Sequence, residues 1–165
     1  MSIPAGTLNG GSLSTPGMIA QHHPANHISS SVAVGAIVFG LALAHDGEGV
    51  SVLNGAEDRF AGVAGYSYEA SDFDNGAYAD KDPVAVIRGG VMTVRVGETV
   101  SKGDPLYVIH TKISDTADMA RFVKTATAGK TALINGAEVI EGADAGGIAV
   151  VFIPEGAQLT ATPAA

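Results

Sequence analysis

The sequence lacks cysteine and tryptophan, and it has few charged residues. Without cysteine the chain can form neither a disulfide scaffold nor a cysteine-based zinc site. Charged residues make up only 16% of its 165 residues, whereas globular domains average roughly 25%. The net charge of −8 argues against a nucleic-acid partner, because phosphate binding requires clustered lysine and arginine. At this length we expect one folded domain with a modest hydrophobic core.

Charged residues are missing altogether from the N-terminal part of the chain, where no Asp, Glu, Lys or Arg precedes Asp46. Residues 1–30 show neither a helical nor a strand period, and their prolines and glycines disfavour independent folding. Uncharged segments with spaced apolar side chains are suited to lying on a partner. We therefore predict an extended N-terminal arm over residues 1–30, while a tail without a partner remains the open alternative. The predicted partner contacts are Ile3, Leu8, Leu13, Met18, Ile19, His22, His23 and His27.

Three of these contacts are histidines, which can also bind metal ions. His23 and His27 have the i, i+4 spacing that places two imidazoles on one metal when the segment is helical. Pro24 interrupts this spacing, and no glutamate follows His22, so the metalloprotease pattern is absent. We predict polar contacts made by a docking arm in preference to a metal site.

The sequence also lacks complete catalytic and ligand-binding motifs. Counted from Asp72 as the first position of a calcium-binding loop, Ala77 and Pro83 stand where an EF-hand requires Gly and Glu. There is no Gly-x-Ser-x-Gly elbow and no complete Gly-x-x-x-x-Gly-Lys-Ser/Thr loop. A small hydrolase, the enzyme alternative, would need convergent titratable side chains. We predict no catalytic, cofactor or metal site, and a protein that is not an enzyme.

From residue 31 onward, short runs of apolar and β-branched residues alternate with turn residues. The uncharged apolar run over residues 31–44 is too short for a membrane-spanning helix, which needs about 20 residues. The spacing of strands and turns predicts an all-β body over residues 31–154, either a compact small β-barrel or a β-sandwich. Residues 155–165 are predicted to form a short C-terminal tail.

Glycine-containing pairs mark the predicted hairpins of this body. Asn54-Gly55 and Asn135-Gly136 are typical hairpin turns. The clearest predicted hairpin joins the β-branched runs 83–87 and 91–96 through Arg88-Gly89-Gly90.

Several segments, taken in order, resemble one group of viral proteins. They are residues 32–43, 60–71 (FAGVAGYSYEAS), 84–96 (VAVIRGGVMTVRV), 97–107 (GETVSKGDPLY), 121–129 (RFVKTATAG) and 146–153 (GGIAVVFI). In this order they resemble the structural cement, or head-decoration, proteins of tailed bacteriophages. The resemblance covers about residues 16–153, while residues 131–142 and the tail after Pro154 depart from it.

The resemblance implies a non-enzymatic protein on the outer surface of the virion. Such a protein would bind the major capsid protein, bridge neighbouring capsomers and help the shell resist the pressure of packaged DNA. It also implies self-association as a trimer. From the charge, the short apolar run and the missing motifs we predict no cofactor, no membrane and no direct contact with nucleic acid.

An alternative function is a virion surface module that binds host glycans or cell-surface receptors. Such a module needs exposed aromatic rings, and Tyr66, Tyr68, Phe73 and Tyr78 are grouped around one polar loop. Aromatic residues also suit pairing between strands, so packing within the body is the favoured interpretation of this group.

Overall fold

Short β-branched and apolar runs form strands throughout the part of the chain that the computed structural model describes, residues 15–21, 23–24 and 26–164. No α-helix occurs in these residues, and the predicted all-β fold class is confirmed. The strands are β1 (Ile19–Gln21), β2 (His27–Val32), β3 (Ile37–Val38), β4 (Ala42–Asp46), β5 (Gly49–Val52), β6 (Phe60–Ala64), β7 (Ala77–Tyr78), β8 (Pro83–Arg95), β9 (Pro105–Ile109), β10 (Phe122–Val123), β11 (Thr131–Glu141), β12 (Ile148–Ile153) and β13 (Leu159–Ala161). A single 3-10 turn covers Phe73–Asn75. None of the described helical segments is long and apolar enough to cross a membrane.

Most strands belong to one sheet that curls into a half-barrel. Its order is β10-β9-β11-β12-β8-β6-β4-β5, with β1 and β2 also paired to β8 and β13 paired to β11. The two short strands β3 and β7 pair with each other. The half-barrel begins to close where Ala33, just after β2, bridges to Val50 of β5.

The central element is the 13-residue strand β8, and here the sequence-based hairpin is wrong. Residues 83–95 run straight through Arg88-Gly89-Gly90, pairing with β2 and β6 in the first half and with β1 and β12 in the second. The two glycines allow other segments to approach the strand closely. A side chain on Gly90, whose φ is +113°, would collide with Asn26, and one on Gly89 would meet the backbone of Glu155.

Asn54-Gly55 and Asn135-Gly136 were also wrongly predicted to be hairpin turns. Asn54 and Gly55 lie in a loop after β5, where both backbone amides donate to Oδ2 of Asp58. Asn135-Gly136 lies inside β11, in a stretch where the pairing with β9 shifts register, and Gly136 has a φ of +79°. A glycine-containing bulge and a type I′ hairpin turn both place a residue at positive φ, so the dipeptide alone does not distinguish them.

The sheet is covered on both faces, because alternate residues of β4, β6 and β8 enter two different hydrophobic clusters. The first core receives Ala42 and Ala44, whereas the intervening Leu43 enters the second core. The larger members of the first core include Met92, Leu106, Phe122, Ile134 and Ile153. Those of the second core include Ile37, Phe39, Leu43, Tyr78 and Val86.

Side-chain hydrogen bonds fasten the loop that covers the second core. The carboxylate of Asp82 accepts from the backbone amides of Ser71 and Ala79, at 2.7 and 2.8 Å, and from the Ser71 hydroxyl. These bonds, led by that of the Ser71 hydroxyl, lower the pKa of Asp82. The buried Tyr78 hydroxyl donates to the carbonyl of Gly65. This covering therefore depends on a few polar contacts as well as on apolar packing.

Both predicted terminal segments contribute strands to the sheet. β1 and most of β2 lie within residues 1–30, and β13 lies within residues 155–165. β13 pairs with the first part of β11, from Ala132↔Ala161 to Ile134↔Leu159. The described parts of the predicted arm and tail are thus hydrogen-bonded to the body.

Candidate partner-contact surface

The described part of the N-terminal segment runs antiparallel along β8. Its register places Ile19 opposite Met92, Gln21 opposite Val91, and β2 opposite the first half of β8. The β-branched residues Ile19, Ile28 and Val32 favour the strand conformation of this segment. The segment therefore follows β8 over most of its length.

Met18 and Ile19 anchor the start of this segment. The Met18 amide donates to the Thr93 hydroxyl at 2.9 Å, and the Thr93 amide donates to the Met18 carbonyl at 2.8 Å. Ile19 packs against the first core. Gly17 has a φ of +76°, and a side chain there would collide with the carbonyl of Ala64. This close approach makes glycine necessary at the point where the segment reaches the body.

Two histidines fasten the segment to the end of β12. The ring of His23 lies 5.2 Å from the ring of Phe152, measured between centroids. Nδ1 of His27 lies 2.8 Å from Oε1 of Glu155, which forms an ion pair when the imidazole is protonated. Both side chains of this pair are about half exposed, so the pair contributes at most about 1 kcal/mol.

The structure brings four of the eight predicted contact residues together along β8, with their interactions directed to the body. They are Met18, Ile19, His23 and His27. The other four, Ile3, Leu8, Leu13 and His22, lie outside the described residues. No three His, Asp or Glu residues of the described part are arranged to hold a metal ion.

An exposed apolar surface on β2 was missed by the sequence analysis. Ile28 is 55% exposed, Val32 is 48% exposed and Val34, just beyond the strand, is 43% exposed. We call these three residues the β2 outer surface. The four-residue separation of Ile28 and Val32 is the sequence signal that could have revealed it, because residues 28, 30 and 32 of a strand share a face. Grouped exposed apolar side chains are typical of interaction surfaces.

The predicted aromatic group divides between the core and the surface. Tyr78 is fully buried, whereas Tyr68 is 79% exposed. The Tyr68 ring lies 4.9 Å from that of Phe73 and 5.2 Å from that of Tyr66. A hydrogen bond with Tyr68, followed by desolvation, raises the pKa of Tyr66. Core packing thus accounts for Tyr78, while Tyr68 is available to an external partner.

Comparison with known proteins places this architecture among phage capsid components. A family model described as "Structural cement protein (E217 gp24/Pam3 gp6)" matches residues 10–153. No curated protein sequence matches the chain. A chain in "The capsid of Myoviridae Phage XM1" has a similar fold, with a TM-score of 0.72, 21% identity, and 87% of this chain and 91% of that chain covered.

A second structural likeness is much weaker. "The crystal structure of head fiber gp8.5 N base in bacteriophage phi29" gives a TM-score of 0.41 and 16% identity, with 81% of this chain and 98% of that chain covered. The family match is independent of both structures and spans most of the sequence, including every strand from β1 to β12. The chain belongs to the family of phage structural cement proteins.

Proposed function

We propose that the protein decorates the outer surface of a phage icosahedral head, binds the major capsid protein and bridges neighbouring capsomers. Membership in the cement family, over residues 10–153, is the observation that carries this proposal. The family is structural, and membership makes the chain a component of the virion with a structural role in the capsid. We infer that the protein lies on the outer surface of the capsid, that it bridges capsomers and that it has no enzymatic activity.

The body offers the rigidity that a clamp between capsomers requires. Its sheet is covered by a hydrophobic core on each face, so the strands that support the contact surface are held from both sides. The β2 outer surface gives this body an apolar patch that water solvates poorly. We propose that this patch packs against the capsid.

The proposed capsid contacts also include apolar side chains of the predicted arm that belong to residues 1–14 of the sequence. These residues carry no charged side chain, and they include Ile3, Leu8 and Leu13. Covering such a segment with protein desolvates no ion, which removes a large cost of binding. The neighbouring residues 17–19 are hydrogen-bonded to β8 or packed against the first core. Contacts that the arm makes with the capsid are therefore connected to the folded body through β8.

Repetition on the capsid lattice lets modest contacts add up. If three copies self-associate at a threefold position, as the resemblance implies, each additional contact forms at high effective concentration. A trimer that engages several capsomers together then dissociates far more slowly than one copy alone.

Binding to purified capsids that lack the protein tests this proposal. We expect the double variant Ile28→Ser/Val32→Ser to bind at least about tenfold more weakly, because each side chain loses apolar burial on the capsid. The matched control is Ile113→Ser/Met119→Ser, which removes side chains that are 38% and 39% exposed elsewhere. Equal binding by the two double variants, with unchanged melting temperatures, would contradict the role of the β2 outer surface.

The arm is tested in the full-length chain by Ile3→Ser/Leu8→Ser/Leu13→Ser. We expect unchanged melting of the body and markedly weaker capsid binding. A control with Ser2→Ala, Thr7→Ala and Ser12→Ala changes the same stretch without removing its large apolar side chains. If the apolar triple variant decorates capsids as well as this control, the arm has no binding role.

Glycan or receptor binding is a second candidate function, which the 79% exposure of Tyr68 favours. Exposed aromatic rings can stack on the apolar faces of sugars. Tyr68→Ala should abolish binding on a glycan array or to host cells while leaving capsid attachment intact. Unchanged glycan or cell binding by this variant, or none by the parent protein, would dismiss the candidate.

A further inference from the structure

Three basic side chains, His45, Arg59 and Arg88, line one pocket on a chain with a net charge of −8. This basic pocket has a volume of about 330 Å³. It lies between the end of β4, the loop before β6 and the segment that follows β12. The three residues are far apart in the sequence, so no local motif marks the site.

Strand pairing is what brings the basic groups together. The His45 amide donates to the Arg59 carbonyl at 3.0 Å. Arg88 follows Ile87, which pairs with Val63 of β6. Desolvation, and then the charges of Arg59 and Arg88, lower the pKa of His45. The proximity of like charges is therefore unfavourable, and an anion in the pocket would relieve it.

The acidic residues at the rim of the pocket do not neutralise the positive charges of Arg59 and Arg88. Within the described part of the chain, neither Arg59 nor Arg88 forms an ion pair. Asp58 is engaged by the amides of Asn54 and Gly55. Glu57 also lines the pocket, but its side chain makes no ion pair with either arginine in that part of the chain.

A second hollow, of about 170 Å³, adjoins the basic pocket and shares His45 and Arg88 with it. Ser29, Ser30 and Ser31 of β2 line this hollow. Their hydroxyls have no hydrogen-bond partner among the described residues. β2 pairs with β8, and the bridge and hydrogen bond that link the chain to β5 lie beyond the strand, at Ala33 and Val34. The hollow thus follows the incompletely closed seam of the half-barrel.

We propose that the basic pocket and this serine-lined hollow together bind an extended acidic peptide segment of a partner protein. A carboxylate of the segment accepts hydrogen bonds from Arg59 and Arg88, whose planar donor groups match a carboxylate. The adjoining part of the segment lies along β2, where the serine hydroxyls can bond to its backbone. The site does not depend on capsid attachment, because any partner with such a segment would occupy it.

The surroundings favour a peptide over a phosphate compound or a nucleic acid. A doubly charged phosphate would be repelled by Glu57 at the rim more strongly than a singly charged carboxylate, and a nucleic acid would bring a charge at every nucleotide to a chain with a net charge of −8. Two hollows side by side suit a chain with side groups better than a compact ion. Val50, Ala61 and Val86 of the second core also line the second hollow and, being almost fully buried, present only a small apolar surface to such a chain.

Titration of the full-length protein with a short peptide of alternating Asp and Val, followed by NMR, tests the site. We expect saturable shifts of the amides of residues 29–31 and of His45. The Asn–Val counterpart should bind at least about tenfold more weakly, since it loses the charge-assisted bonds. Equal affinity for the neutral peptide would overturn the proposal, as would the absence of saturable shifts with the acidic one.

Charge-removing variants locate the carboxylate. Arg59→Gln and Arg88→Gln should each weaken peptide binding about tenfold. Arg59 is exposed, so its variant remains informative if the half-buried Arg88 proves necessary for folding. Lys102→Gln removes an exposed charge elsewhere and should leave the affinity unchanged at constant ionic strength. If Lys102→Gln lowered the affinity for the peptide as much as Arg59→Gln does, the change in net charge alone would explain both losses. That result would contradict a defined binding site.

His45 and inorganic phosphate provide the remaining tests. A bound carboxylate should raise the pKa of His45, measured from its ring resonances at saturating peptide, and an unchanged pKa would contradict carboxylate binding in this pocket. Inorganic phosphate at matched ionic strength should not displace the peptide. Displacement with equal or higher affinity would overturn the peptide assignment in favour of a phosphate site.

Discussion

The two cores on opposite faces of the sheet are built differently. The first core consists mainly of aliphatic side chains from regular strands, with Phe122 as its single fully buried aromatic residue. The second core contains Phe39 and Tyr78, and its cover is a loop fastened by Asp82. Strand alternation suffices to form the first core, whereas the second also needs particular hydrogen bonds.

Two of the surfaces proposed to meet partners lie beside the second core, whereas the basic pocket is lined by Phe60, Ala157 and Leu159, which pack against the first core. Tyr66 and Phe73 pack against the second core and carry the exposed Tyr68 on their outer side. Val50 and Val86, which belong to the second core, also line the seam beside the basic pocket. We infer that the first core sets global stability, while the second holds these two contact surfaces in shape.

The largest expected effect is in the first core. Phe122→Ala should lower the free energy of unfolding by about 3–5 kcal/mol, because it leaves a cavity among fully buried side chains. Urea denaturation measures this loss. Phe73→Ala, at the partly exposed edge of the second core, should cost much less. Equal losses in the two variants would contradict the division between the cores.

Tyr78→Phe should have the next largest effect. Removing the hydroxyl leaves the Gly65 carbonyl without its donor, which costs about 1–3 kcal/mol. Tyr107→Phe, at a partly buried tyrosine on β9, is the matched control and should be nearly neutral.

The pH dependence of Tyr78 gives a second measurement. Burial raises its pKa above the ordinary value, so the stability it contributes is present below about pH 10 and is lost as the pH rises through the folded-state pKa. The alkaline loss of stability should therefore be shallower in Tyr78→Phe. An identical alkaline profile in the parent and the variant would rule out this contribution.

Asp82→Ala should loosen the cover of the second core without opening the first. We expect the melting temperature to fall by several degrees, with faster hydrogen exchange at the amides of Ser71 and Ala79 and little change in β12. Asp74→Ala, in the same loop, is the control. Uniformly faster exchange throughout the sheet would show that the two cores open as one unit.

Asp82 also predicts a contribution to acid stability. Its pKa is lowered in the fold by hydrogen bonds, first from the Ser71 hydroxyl. The resulting stability is present above the ordinary pKa of an aspartate and is lost as the pH falls through the folded-state value. Thermal melts of Asp82→Ala should therefore show a shallower decline in acid than the parent.

The smallest effect concerns His45, beside the second core. Its pKa is lowered by desolvation and then by Arg59 and Arg88, so the unfolded chain takes up a proton first. Stability should therefore fall slightly as the pH drops below about 6.5. Arg59→Gln and His45→Gln should each make this decline shallower in thermal melts from pH 7 to pH 5, and an unchanged slope in both would contradict it.

The same contrast explains how much of the fold could be predicted. The all-β fold class was predicted correctly, because short apolar and β-branched runs that alternate with turn residues determine it locally. The continuous course of β8 was not predicted. Gly89 and Gly90 mark a turn when only neighbours are considered, and their role depends on Glu155 and Asn26, which are distant in sequence.

The candidate site shows the same limit. The sequence predicted that apolar side chains of residues 1–30 contact a partner. For Met18 and Ile19 that partner includes the chain's own β8 and first core, which only long-range strand pairing reveals. His45, Arg59 and Arg88 were not predicted as a group, since three strands must assemble before they share a pocket.

Electron cryomicroscopy most directly tests the proposal that this protein binds the outside of a capsid and bridges neighbouring capsomers. Particles assembled without the protein would be imaged before and after adding the purified chain. We expect new density with the shape of a β-sheet protein at symmetry-related positions on the outer surface. Each copy of this density should contact at least two capsomers. Density confined to single capsomers or to the inner surface, or no added density at saturating protein, would contradict this proposal.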